Sequence, residues 1–404
     1  MVVGAVGASL VKIMKKAKFY FIFYGAVCIL AILGAMLGMV AYSISEKHPD
    51  YFTIQLWQGI IIFFISIWLS SFLHELVHGI TFLLNGQKIR MFYIFPFCFI
   101  KETNGIKIHV TVNWLIGLGG IVIPEFKLIK NHDELKQNKI SLQKSLLSAP
   151  LCSALLGILS LLLAMFATDY VSVEYRSWFF LFFAANLLVA VYINLTSLLF
   201  FGGIIGDYAA CRLLTRNKTY LLLQMYNYYL LQRSEVKTIF REKNSFFHKN
   251  MLAHLLEKQN EEPGSEICSL LDAVIYEELI RHTCSKEIMD VVSNYITNHM
   301  EQMEKYLPFY EAYYRCFGHL IIYMYINGNG DMAEGLWNKN RDKIPSNKVG
   351  KYVTAQVEMA RTGIKNEDLF LKKKIAMSSM DCIVSCMENY FEDELEVNWM
   401  ILDK

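Results

Sequence analysis

The hydrophobic positions of this chain gather into four long runs without a charged residue, Phe19–Ser45, Tyr51–Leu73, Ser145–Thr168 and Ser177–Gly206. A helix needs about 20 residues to cross a hydrocarbon core. Each run suffices, and spans are expected near residues 19–43, 53–85, 145–168 and 177–201, the second continuing through a short polar patch. Between the second and third runs the pattern changes. Ile89–Tyr93, Phe97–Lys101 and Ile106–Val112 are rich in β-branched and aromatic residues, and Thr103-Asn104-Gly105 supplies a turn signal, so a small β-hairpin insert is expected within residues 87–125. Beyond Thr215, charges alternate with apolar residues at helical spacing. His319–Ile326, Asn327-Gly328-Asn329-Gly330 and Asp331–Asn338 read as helix, turn and helix, a tetratricopeptide-like hint, and Glu261–Ser265 as a break. No repeat period is legible, so an irregular helical bundle is expected. The fold class that follows is mainly α: a polytopic membrane core over residues 1–216 with about four spans and the β insert, then an all-helical domain over residues 217–404.

Composition agrees with this division. Hydrophobic residues make up 54% of the chain, mean hydropathy is positive, and the charge is concentrated in the C-terminal half. Lys12, Lys15, Lys16 and Lys18 precede the first run, and Lys88, Arg90, Lys101, Lys107, Lys127, Lys130, Lys136, Lys139 and Lys144 lie between the second and third. The other two loops hold only Lys47 and Arg176, so the positive-inside rule places both termini in the cytoplasm. The first run is long for a signal peptide and has no convincing cleavage site, so it is read as a retained span. A net charge of +2 carries no signal for nucleic acid, and none is expected as a partner. Nine cysteines without CxxC spacing indicate neither a disulfide framework nor a structural zinc site; Cys382 and Cys386 share a helix face and read as packing.

One short segment changes the picture. His74, Glu75 and His78 spell HELVH in the continuation of the second run. Residues four apart share a helix face, so His74 and His78 can bind one zinc ion through imidazole nitrogens, with Glu75 beside it as general base. Ionisable groups within a span cost roughly 2.5 kcal/mol or more each when charged, which points to a role beyond packing. Catalytic zinc sites use three protein ligands. Asp207 is the leading third, because it follows Phe201-Gly202-Gly203-Ile204-Ile205-Gly206, where glycines loosen the chain at a depth comparable with the histidines. The other reading makes Asp207 a helix N-cap. Glu102 and Glu125 are rivals that lie off the spans. Asn194, thirteen residues earlier, reads either as a donor to a developing oxyanion or as a helix-packing amide.

Taken together, these residues resemble the site-2 protease family of intramembrane zinc metalloproteases, as a divergent branch. His74 and His78 match the family's histidine ligands, Glu75 its catalytic glutamate and Asp207 its distal aspartate. Ser148-Ala149-Pro150-Leu151 resembles its small-residue-and-proline motif. Three departures stand: Gly206-Asp207-Tyr208 replaces the usual Leu-Asp-Gly, no proline follows Asn194, and Ser153 stands where asparagine is common. The resemblance, over roughly residues 18–216, implies a Zn2+-dependent endopeptidase within the membrane, and the lysine-, asparagine- and isoleucine-rich composition points to a bacterial source, hence the plasma membrane. Its expected substrate is a membrane-anchored protein or a precursor or leader peptide, held as an added strand on the β insert, with a further partner for the helical domain. The alternative is a catalytically silent membrane scaffold or immunity-type protein that binds a peptide without cutting it.

Overall fold

The structure, a computed structural model, describes residues 46, 54–110, 120–167, 170–201, 204–243, 245–281, 286–377, 385, 387 and 391–403. The first expected span, the lysines before it, and Cys382 and Cys386 lie outside the described residues. The chain divides into two compact units: residues 1–99, 110–124 and 140–215 form one, and residues 100–109, 125–139 and 216–404 the other.

Among the described residues, three helices are long and apolar enough to cross a membrane, Trp57–Leu84, His132–Phe166 and Val173–Ser197. The first belongs to helix α1, Leu56–Leu84, which stops where Asn85 N–H returns to Thr81 O and Gly86 takes a positive φ of 75°. A four-stranded antiparallel sheet follows: β1 (Lys88–Ile94), β2 (Phe97–Glu102), β3 (Gly105–Val110) and β4 (Gly120–Glu125), in spatial order β3-β2-β1-β4. The first three match the expected strands. The fourth was not expected, because its alternation is broken by Pro124 and its first residue is glycine.

Helix α2 runs from His132 to Leu162 and ends in a π-helical turn, Leu163–Ala167. It therefore begins a charged segment earlier than the apolar run, Pro150 being accommodated within it. Helix α3, Val173–Ser197, starts four residues earlier and ends four earlier than the expected 177–201. The remainder of that run is a two-stranded hairpin, β5 (Phe200–Phe201) and β6 (Ile204–Ile205), paired Phe200 with Ile205 and Phe201 with Ile204. Apolar residues alone do not distinguish the two forms; close approach does. A Cβ on Gly206 would stand 2.3 Å from the Thr196 carbonyl oxygen, so only glycine lets the chain double back against the end of α3. Helix α4, Asp207–Arg216, begins immediately afterwards. Small residues also set the α2–α3 contact, where a Cβ on Gly157 would lie 2.7 Å from that of Ala190.

The second unit holds α5 (Lys218–Leu230), α6 (Ser234–Lys243), α7 (Ser245–Glu257), α8 (Ser265–Arg281), α9 (Lys286–Tyr306), α10 (Glu311–Ile326), α11 (Gly330–Asn340), α12 (Lys348–Thr362) and α13 (Glu392–Leu402). The expected break at Glu261–Ser265 separates α7 from α8, and the Asn-Gly turn separates α10 from α11. Helices α8 and α10 are buried on nearly every face and pack on each other, with α12 against α10. Their surroundings hold charges that are paired inside: Asp393 with Lys237 at 2.8 Å and with Arg241 at 2.7 Å, Glu277 with Arg241 at 3.2 Å, and Asp272 with His319 at 2.6 Å. Buried ions persist where opposite charge and hydrogen bonds replace lost water.

Candidate metal centre

Helix α1 brings His74 and His78 onto one face, their rings 4.8 Å apart and nearly perpendicular. Both are buried, as is Glu75 between them. Ionisable groups in that position need fixed partners, and α2 supplies two. Ser153 Oγ lies 3.0 Å from His74 Nδ1, and Ser145 Oγ lies 3.0 Å from His78 Nδ1. Ser145 Oγ also donates to the His78 carbonyl oxygen at 3.4 Å, so its lone pairs are free to accept from the imidazole N–H. Where Nδ1–H donates to the serine, the ring presents a bare lone pair at Nε2; in the other tautomer the Nε2–H of His74 donates to Asp207 Oδ2 at 3.1 Å.

The third side chain arrives from the hairpin. Asp207 Oδ2 stands 3.1 Å from His74 Nε2 and 3.5 Å from His78 Nε2. The turn at Gly206 and the first residue of α4 aim this carboxylate at the rings, so Asp207 faces the histidines from the first turn of α4. Three lone-pair donors facing one another repel unless a metal ion or a proton sits among them. Donor atoms around a tetrahedral zinc at about 2.0–2.1 Å lie about 3.3–3.4 Å apart, and the two measured separations bracket that value. The residues therefore fit the ion. His74, Glu75 and His78 also place one ligand-type atom each within 4.8 Å of the others.

Glu75 is held by a different element. The backbone N–H of Gly120, the first residue of β4, bonds its carboxylate, and a Cβ on Gly120 would fall 2.4 Å from Glu75 Cγ and 2.5 Å from Tyr93 O. Glycine is thus required where β4 meets the glutamate. Strand β4 has β1 as its one sheet neighbour among the described residues.

Of the residues singled out in the sequence, His74, Glu75, His78 and Asp207 come together. Asn194 does not join them: its Nδ2 donates to the Ala190 carbonyl at 2.9 Å and its Oδ1 accepts from Tyr208 Oη at 3.2 Å, bracing the residue after Asp207. Glu125 accepts from Arg233 at 3.0 Å. Ser145, Ser153 and Gly120 were not foreseen as site residues. The signal for the serines is present, since hydroxyls eight residues apart in a largely apolar stretch, Ser145–Ser153, fall on one side of the helix. Comparisons with family models, with curated proteins and with solved structures each return no match.

Proposed function

We propose that this protein is a zinc metalloendopeptidase that hydrolyses a peptide bond within a membrane-anchored protein or a precursor or leader peptide, as the resemblance to site-2 proteases implies. The observation that carries the reading is the convergence of His74 Nε2, His78 Nε2 and Asp207 Oδ2 at tetrahedral spacing beside a buried glutamate. These three atoms would hold the ion. A zinc bound there supplies a Lewis acid that makes a water acidic and polarises a carbonyl.

The remaining work falls to the chain's own residues. Glu75 accepts the proton of the attacking water on a carboxylate oxygen and passes it to the leaving amine nitrogen, and the Gly120 N–H fixes the orientation in which it does so. The serine hydroxyls keep each imidazole in the tautomer that ligates through Nε2. Strand β4, with one edge beyond the sheet and its first residue against Glu75, supports binding of the substrate in extended form by strand addition. A helical carbonyl is hydrogen-bonded and shielded, so an extended backbone is the form that can react.

His74 lies ten residues before the end of α1, about 15 Å along the helix axis. In a bilayer entered from the lysine-rich side, that depth is within the hydrocarbon region. In this reading the protein sits in a bacterial plasma membrane with both termini cytoplasmic. Two measurements test it together. Purified protein should carry close to one zinc per chain, and reconstituted wild type should cut a membrane peptide that Glu75→Gln leaves intact while retaining zinc. Cleavage by Glu75→Gln at the wild-type rate, or protein that binds no zinc, would sink the proposal.

A further inference from the structure

A cavity of about 130 Å3 lies among α1, α2 and α3, on the side of His74 toward the start of α1. Leu69, Leu73, Leu156 and Phe183 supply much of its wall, with Ser70, Ser153, Ser160 and Asn186 as polar members. Three of these four are already engaged with neighbouring polar groups or with the site. Ser70 Oγ donates to Asn186 Oδ1 at 2.8 Å, Asn186 Nδ2 donates to the Phe182 carbonyl at 2.7 Å and to Ser66 Oγ at 3.3 Å, and Ser153 Oγ meets His74 Nδ1. Apart from the Ser160 hydroxyl, what the cavity offers an occupant is therefore apolar contact. Ser153 both lines it and holds the imidazole of His74, so the space begins one side chain away from the cluster.

We propose that this cavity is the subsite for one apolar side chain, of leucine to phenylalanine size, from the peptide segment bound at the metal centre. Its volume is close to that of the ~150 Å3 Leu- and Phe-lined cavity that takes up benzene. An extended peptide points alternate side chains to opposite faces of its sheet, so a strand added beside β4 turns one of the residues flanking the reacting carbonyl to the sheet face that packs on α1. The pocket reads the size of that residue. Packing selects here, because in a bilayer an apolar side chain gains little from leaving lipid. The occupant rests on the proteolytic reading; the pocket and its size preference do not require hydrolysis.

The test uses Glu75→Gln protein in nanodiscs and a single-span host peptide, with Ala, Leu, Phe or Trp placed at successive central positions. Leu and Phe at one position should bind about tenfold tighter than Ala or Trp there, the range in which pockets discriminate by a methylene or more. Leu156→Ala should move the optimum to Trp, and Leu156→Trp should move it to Ala. Affinities that stay flat across the panel, as an acyl chain filling the cavity would give, overturn the inference, and so does a preference unmoved by both Leu156 variants. Wild-type cleavage of the same panel is read separately. Size-selective binding without zinc or cleavage keeps the subsite and rejects the protease, whereas cleavage with no size preference does the reverse.

Discussion

Ser145 and Ser153 decide which nitrogen each histidine can offer. An imidazole whose Nδ1–H is held by a hydroxyl has its lone pair on Nε2, and its ring cannot rotate without losing that bond. Outer hydrogen bonds of this kind are worth about 10- to 100-fold in metal affinity. Ser145→Ala and Ser153→Ala are each expected to weaken zinc binding by that factor in competition with a calibrated chelator, with Ser153→Thr restoring it. Unchanged affinity in both alanine variants would show that packing alone orients the rings. At this scale the sequence was half legible. HELVH announces itself because two histidines four positions apart share one helix face. The serines look like ordinary small residues of an apolar helix, and only the approach of α2 to α1 gives them a partner.

Among elements, the connection between α3 and α4 carries the most chemistry for its length. Helix α3 stops at Ser197, two short strands turn the chain back, and Gly206 passes against the last turn of α3 so closely that the Thr196 carbonyl would meet any Cβ at 2.3 Å. That contact sets where Asp207 begins α4. Gly206→Ala must displace the hairpin, and overpacking of this kind costs about 1–3 kcal/mol. The displaced carboxylate should lower zinc affinity by about tenfold or more while circular dichroism stays helical; full affinity would mean that α4 carries Asp207 independently of the turn. The apolar run Ser177–Gly206 concealed this change of structure, because helix and hairpin draw on the same Leu, Ile and Phe. Glycine content hinted at a break without giving its form. The sheet was more legible, since turn chemistry at Thr103-Asn104-Gly105 marks strands directly, yet β4 escaped notice.

A second elemental feature sets depth. The indole N–H of Trp68 donates to the Phe95 carbonyl at 2.7 Å, so the turn between β1 and β2 lies level with a residue sixteen positions before the end of α1, about 24 Å along it. Seven residues of β1 cover nearly the same distance at about 3.3 Å each. The hairpin therefore runs back alongside α1, past the level of His74. Its inner residues Met91, Tyr93, Cys98 and Ile100 are buried, which is what the proposed placement in a bilayer requires of non-helical chain at that depth.

For the whole molecule, stability should depend on pH through His248 of the helical unit. Burial, with the guanidinium of Arg281, holds this imidazole down at about 4. Its folded value lies below the unfolded one of about 6.5, so on acidification the unfolded chain takes up a proton that the folded chain refuses. The stabilisation is complete above about pH 6.5 and is lost as pH falls toward 4, at up to about 1.4 kcal/mol per pH unit. His248→Leu should flatten that part of the stability curve, measured by denaturant unfolding in detergent between pH 7 and 4.5; an unaltered slope would assign the acid sensitivity to other groups. None of this was legible beforehand, because a lone histidine among helical residues carries no mark of the burial that shifts it.

The second unit draws its parts from separated stretches of chain. Residues 100–109 and 125–139 belong with the helices that start at Arg216. Within that unit Glu125 pairs with Arg233, Thr103 donates to Glu235 at 2.9 Å, and the ring of Phe126 packs edge-on against Tyr228. Counting the passages at 99/100, 109/110, 124/125, 139/140 and 215/216, the backbone changes unit five times. A cut after Thr215 consequently severs one thread of five. No single scission turns this chain into two independent proteins, and removing the helices would leave two of their own segments behind, stripped of partners and exposing the apolar surface that those helices now cover.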